Sequence, residues 1–224
     1  MEQIIEKGQM EIVLNDIEAR ILGCLIEKEM TTPDYYPMTL NSLTNACNQK
    51  SNRDPVVSYD ETIVEQGLNS LRGKGLAELV HAVGSRVHKF RHSLLYRFDL
   101  NRQETAVLCE LLLRGPQTTG EIRARAGRMA EFGSIEKAEE IIIGLIEHGE
   151  PLVVRLPREP GRKESRYMHL LSGQPEISVS KSSVETPHMQ ADDERLRRLE
   201  KELASVRDDL GALKQAFAEF KSQF

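Results

Sequence analysis

The sequence predicts a mainly α fold with small β-hairpins (α+β): one unit of three helices and a hairpin, written twice, then a long C-terminal helix. Three observations carry this. Capped amphipathic helices recur in the same order in residues 1–100 and 101–172. A pair of short strands around a polar loop follows each third helix. A strict apolar seam then runs from Leu196 to Phe224.

The first helices open alike. Asn15 is followed by Glu18, and Asn101 by Glu104, the spacing at which an N-cap side chain and a glutamate satisfy each other's backbone N–H groups. Ile21, Leu22, Leu25 and Ile26 fall on Val107, Leu108, Leu111 and Leu112, so each helix is expected to turn one stripe to a core. Shorter second helices begin near Thr39 and Thr118 and end by Cys47 and Ala126. The third helices are expected from residue 59 to about 74 and from 135 to about 148. Gly75 and Gly149 stand where a left-handed residue ends a helix.

The strands are expected at 76–82 and 94–98, around a loop at 83–92, and at 152–156 and 167–170, around a loop at 157–166. Three helices and a hairpin, in that order, make a winged helix. The predicted domains are therefore winged helix 1 at 1–100, winged helix 2 at 101–172, a Ser-, Pro- and Gly-bearing linker at 173–190, and a coiled-coil-like helix at 191–224.

The copies differ by an insertion. The first helices start 86 residues apart (15 and 101), but the terminal glycines lie only 74 apart (75 and 149). The extra chain falls at 30–37 and 48–55, and added loops on a rigid scaffold are where function concentrates. The run Ala46-Cys47-Asn48-Gln49-Lys50-Ser51-Asn52-Arg53-Asp54-Pro55-Val56 resembles the hallmark of the YceH family of uncharacterised bacterial proteins. Similarity extends from about residue 12 to 171, including Leu25-Ile26-Glu27-Lys28-Glu29 and Pro116-Gln117-Thr118-Thr119-Gly120-Glu121. The resemblance implies a tandem winged-helix fold and brings no known activity.

The C-terminal seam (Leu196, Leu199, Leu203, Val206, Leu210, Leu213, Phe217, Phe220, Phe224) alternates gaps of three and four. In a parallel dimer Arg195 would face Glu200, Glu202 would face Arg207, and Asp209 would face Lys214, all opposite in sign. The seam points to a homodimer, with folding back onto the chain's own domains as the alternative.

Composition excludes several classes. No apolar run approaches the roughly 20 residues of a membrane span, and the N-terminus lacks the pattern of a signal peptide. Cys24, Cys47 and Cys109 are odd in number and far apart, unlike a disulfide framework or a zinc site, so a cytoplasmic address is expected. There is no GxxxxGK[ST] loop and no GxGxxG after a strand, and no nucleophile–base set stands out. The expectation is a non-enzymatic protein without metal or cofactor.

Net charge is −5, so any contact with DNA must come from local patches. The third helices offer Asp60, Glu61 and Glu65, and Glu136, Glu139, Glu140 and Glu147, which would repel a polyanion in the usual docking. The candidate nucleic-acid contacts are instead Arg86, Lys89 and Arg91 in the first wing, Arg158, Arg162, Lys163 and Arg166 in the second, and Lys50 and Arg53 in the insertion. The expected function is that of a dimeric DNA-binding or regulatory protein working through its wings, with a protein-interaction scaffold using the winged-helix surfaces, without DNA binding, as the alternative.

Overall fold

The computed structural model describes residues 12–80, 87–158, 161–162 and 164–174. The linker from residue 175 and the whole C-terminal seam lie outside them. The described fold is α+β, as the periodicity predicts. In chain order the first repeat contains α1 (Asp16–Thr31), β1 (Met38–Thr39), α2 (Leu40–Cys47), α3 (Glu61–Gly73), β2 (Ala77–Val80) and β3 (Lys89–His92). A short helix α4 (Leu94–Phe98) leads into the second repeat: α5 (Arg102–Arg114), α6 (Thr119–Ala126), α7 (Ile135–Ile146), β4 (Val153–Arg155) and β5 (Tyr167–His169).

The caps form where the sequence places them. Asn15 with Glu18, Asn101 with Glu104 and Thr118 with Glu121 each make a reciprocal capping box. Thr39 and Ser134 cap α2 and α7 through their side-chain oxygens, whereas α3 starts two residues later than expected, at Glu61, and is capped by Asp60. Gly75 is left-handed, at φ 72°. Gly149 is not: α7 stops at Ile146, and Glu147 rather than a left-handed glycine closes it.

The two hairpins are equivalent, but with a register that the sequence reading missed in the first copy. β3 pairs antiparallel with β2 (Ala77 opposite His92) and with β1 (Met38 opposite Phe90), giving the order β1-β3-β2. In the second repeat β5 pairs with β4 (Val153 opposite His169), and Gln117 bridges the other edge of β5 at Tyr167. His92 and His169 therefore occupy matching places, and both are buried. Residues 94–98, predicted as a strand, form α4 instead. Leu94 and Phe98 are buried one helical turn apart, and Asp99 closes the turn at φ 48°. The matching Leu171 is followed by Ser172 and Gly173, which do not continue a helix.

The first helices are not half-buried stripes. Ten consecutive residues of α1, Glu18 to Glu27, are buried, and so are nine of α5, Thr105 to Leu113. Each is covered on one side by its own repeat and on the other by the opposite first helix, which explains apolar residues around much of the circumference. The backbones come close. The Cys109 Sγ donates to the Gly23 carbonyl at 3.3 Å, and a Cβ on Gly23 would stand 2.9 Å from Leu113 Cγ and 3.2 Å from Leu112 Cβ. The two repeats therefore share one core, in keeping with the short connection through residues 97–100.

Gly23→Ala overfills this contact and is expected to cost about 1–3 kcal/mol. A urea unfolding midpoint unchanged from wild type would show that Leu112 and Leu113 yield at little cost.

Candidate macromolecule-binding surfaces

The insertion at 48–55 crosses from α2 to the junction between the repeats, and most of its polar groups are engaged inside the protein. Asn48 clamps Tyr59, its amide donating to the Tyr59 carbonyl and its oxygen accepting the Tyr59 N–H, both at 2.7 Å. Asn52 takes a left-handed conformation, φ 53°, and donates to Glu110 at 3.1 Å. The Asp54 N–H donates to the Leu113 carbonyl of α5 at 3.0 Å. Arg20, from α1, donates to the Pro55 carbonyl at 2.6 Å.

Arg53 is the centre of this loop. Its side chain is fully buried, and it forks onto both oxygens of Glu27, at 3.0 and 2.5 Å. It also donates to the Ala46 carbonyl at 2.9 Å. Arg128, at the end of α6 in the second repeat, reaches Glu27 at 2.5 Å and Glu110 at 2.9 Å. Two buried carboxylates from α1 and α5 are thus held by arginines from both repeats. Burial alone would raise the Glu27 pKa, but the Arg53 hydrogen bond and charge, joined by Arg128, hold it down at about 2. Arg53, expected as a phosphate contact, is therefore unavailable to one. A cation this buried serves the carboxylate it faces.

The remaining candidate cations divide. β3 begins at Lys89, so Lys89 and Arg91 lie on a strand rather than in the loop expected at 83–92. Arg91 is ion-paired with Glu78 across the hairpin. Arg166 donates to the Pro116 carbonyl at 2.8 Å and lies 3.9 Å from Glu121, so it fastens the hairpin to the start of α6. Lys50, Arg158 and Arg162 are exposed, and Arg155 stands exposed beside Arg158 on the second hairpin. Arg86 and Lys163 lie outside the described residues, as do the seam residues Leu196, Leu199, Leu203, Val206, Leu210, Leu213, Phe217 and Phe220.

The third helices face solvent with their carboxylates. Glu61 and Glu65 are exposed on α3, and Glu136, Glu139, Glu140 and Glu147 on α7. The sequence reading missed two neighbours of the second set: Ile135 and Ile143 are 45% and 42% exposed. The signal was present. Ala138, Ile141, Ile142 and Leu145 fill the buried side of α7, so Ile143 falls on the outer one, while Ile135, beside the buried side, is exposed as the first residue of the helix.

Among the described residues no group of three or more His, Cys, Asp or Glu could hold a metal ion, and no helix is long and apolar enough to cross a membrane. His92 is buried and lies 2.5 Å from Glu29 through Nε2, while its Nδ1 accepts the Leu94 N–H. His169 is also buried, and burial, against a weaker pull from Asp16, lowers its pKa to about 4.

Arg53→Met leaves Glu27 buried without its main partner and is expected to cost about 3–5 kcal/mol, whereas the double change with Glu27→Gln costs less. Two pH limbs follow. His169, depressed from 6.5 to about 4, contributes stability that is complete above pH 6.5 and is lost as pH falls through about 4. Glu27, depressed from 4.5 to about 2, contributes stability that is present above pH 4.5 and is lost as pH falls through about 2. Urea midpoints against pH should lose the first limb in His169→Leu and the second in Glu27→Gln. A limb that persists in its variant belongs to another group.

The family described as "Protein of unknown function, DUF480" matches residues 14–162, a span that takes in the first repeat, the insertion and the second repeat as far as β4. The UPF0502 proteins of Pelobacter propionicus and Geotalea uraniireducens are each 52% identical to this chain over 219 residues, covering 96% of it and 100% of their own length. The UPF0502 protein of Geobacter sulfurreducens is 51% identical with the same coverage. With half of the residues shared along nearly the whole chain, this protein belongs to the DUF480 family, the YceH/UPF0502 proteins.

Proposed function

We propose that this chain is a non-enzymatic, cytoplasmic tandem winged-helix protein that binds another protein, and that it does so as a homodimer joined through the Leu196–Phe220 seam. The repeated order of three helices and a hairpin, each hairpin gaining a third partner at Met38 or Gln117, supports the winged-helix reading. The observation that carries the function is the outward side of the third helices. The surface that a DNA-binding winged helix lays in the major groove presents Glu61 and Glu65 in one repeat and Glu136, Glu139, Glu140 and Glu147 in the other. Of the cations that could offset them, Arg53 is buried against Glu27 and Arg91 is paired with Glu78.

One observation favours the second reading, a DNA-binding or regulatory protein: Arg155, Arg158 and Arg162 are exposed together on the second hairpin, where cations can follow a phosphate backbone.

Fluorescence anisotropy with a random-sequence duplex, from about 50 to 200 mM salt, separates the two. The protein-binding reading expects no appreciable affinity across that range. Binding that falls steeply with salt, and disappears in R155A/R158A/R162A, would establish the DNA reading instead. The seam is tested by sedimentation: L203D/L210D should convert a dimer to a monomer, and a wild-type chain that is already monomeric contradicts the dimer.

A further inference from the structure

We infer that the outer face of α7 is the docking surface of the second repeat, and that its partner is a basic amphipathic helix of another protein. The inference rests on the protein-binding reading above and gives its partner a chemistry. Ile135, Glu139 and Ile143 follow one another at helical spacing and form one exposed row. Glu136 and Glu140 form a second row beside it, and Glu147, at the C-cap, ends the first. Lys137 is the one cation of this helix, and it is taken up by Glu140 at 2.7 Å. The face therefore pairs an apolar strip with a strip of net negative charge.

Two further features shape it. Gly144 continues the second row after Glu140 and is exposed, and having no side chain it lets a partner's backbone come close there; a Cβ would lie 3.7 Å from a Glu104 carboxylate oxygen. Next to Ile135 a cleft of about 230 Å³ opens between α7, the start of α6 and the second hairpin, with Arg155 and Arg158 on its far wall. A partner side chain can enter it, while those arginines confine the partner's basic edge to the Glu136–Glu140 side.

The charge complement selects the occupant. Apolar residues on the isoleucine row exclude water, and lysines or arginines along one edge meet carboxylates of which, among the described residues, Glu140 is ion-paired with Lys137 and Glu136 feels Arg123. Nucleic acid is disfavoured twice over, by the carboxylates and by the exposed isoleucines. The corresponding face of α3 has no such strip: Glu61, Thr62, Glu65, Gln66 and Asn69 are all polar. The two repeats are therefore not interchangeable, and α3 supplies an internal control.

The test uses the full chain and a fluorescein-labelled synthetic helix of leucine and lysine arranged with one apolar face, titrated at about 150 mM salt. The intact chain should bind it. I135S/I143S and E136K/E140K should each weaken binding by roughly tenfold or more, and E61K/E65K on α3 should leave it within about twofold. Circular dichroism checks that each variant keeps its helix content and unfolding midpoint. No binding of the helix overturns the inference, as does equal binding of a scrambled peptide of the same composition, or an equal loss in E61K/E65K. If I135S/I143S instead lowers the association state of the chain without peptide, the face is covered by a second copy, which also overturns it. Failure here with no DNA binding leaves the broader protein-binding reading standing, whereas salt-steep DNA binding removes that reading itself.

Discussion

Glu27 is a carboxylate placed where the two repeats meet, with almost no access to water. A lone charge there would be strongly unfavourable, and the rest of the junction is arranged around preventing that. Arg53 must reach it from the insertion, so the chain after α2 has to turn back through the left-handed Asn52 and lay its backbone against α5. Arg128 must reach it from the other repeat, so α6 has to end where it does. Glu110 enters the same network through Arg128 and Asn52 and keeps one buried oxygen without a hydrogen-bond partner. Removing Arg53 takes from Glu27 its bidentate partner and leaves Arg128 alone to face a buried charge, so the junction is specific as well as tight.

This gives the insertion a purpose different from the one its position suggests. Extra loops on a rigid scaffold are ordinarily where ligands are met, and the cations in this one invite a phosphate. The structure turns Arg53 inward and leaves only Lys50 exposed. What sets the second repeat apart as a surface is instead the composition of a single helix, α7, which combines exposed isoleucines with exposed carboxylates.

Much of this was legible in the sequence, for local reasons. Caps, helix starts and the repeat itself depend on residues three or four apart, and Asn15, Asn101, Thr118 and Ser134 do what their spacing implies. The second hairpin was also placed correctly. The failures were non-local. The β3 register depends on Met38 pairing with Phe90 across some fifty residues, and aromatic residues at 94–98 imitated a strand that the fold did not need. The burial of Arg53 could not be read from its neighbours, because its partner Glu27 is on another helix and looks like any other polar-face glutamate. Ile143 was recoverable, since a helix cannot bury every residue of the run 141–143, and Ile135 is exposed only as the first residue of its helix.

Gly23 and Cys109 hold the same place in their respective repeats, 86 positions apart, and they touch each other. Contact between like positions is the mark of an isologous interface, the kind that joins two identical subunits about a twofold axis. Here both halves belong to one polypeptide. Their association cannot be diluted away, because the tether fixes their effective concentration. Nor must any change be made twice, as it would be in a symmetric pair. One half is thereby free to carry the clasp while the other carries an exposed apolar strip, a division of labour denied to two copies of one sequence.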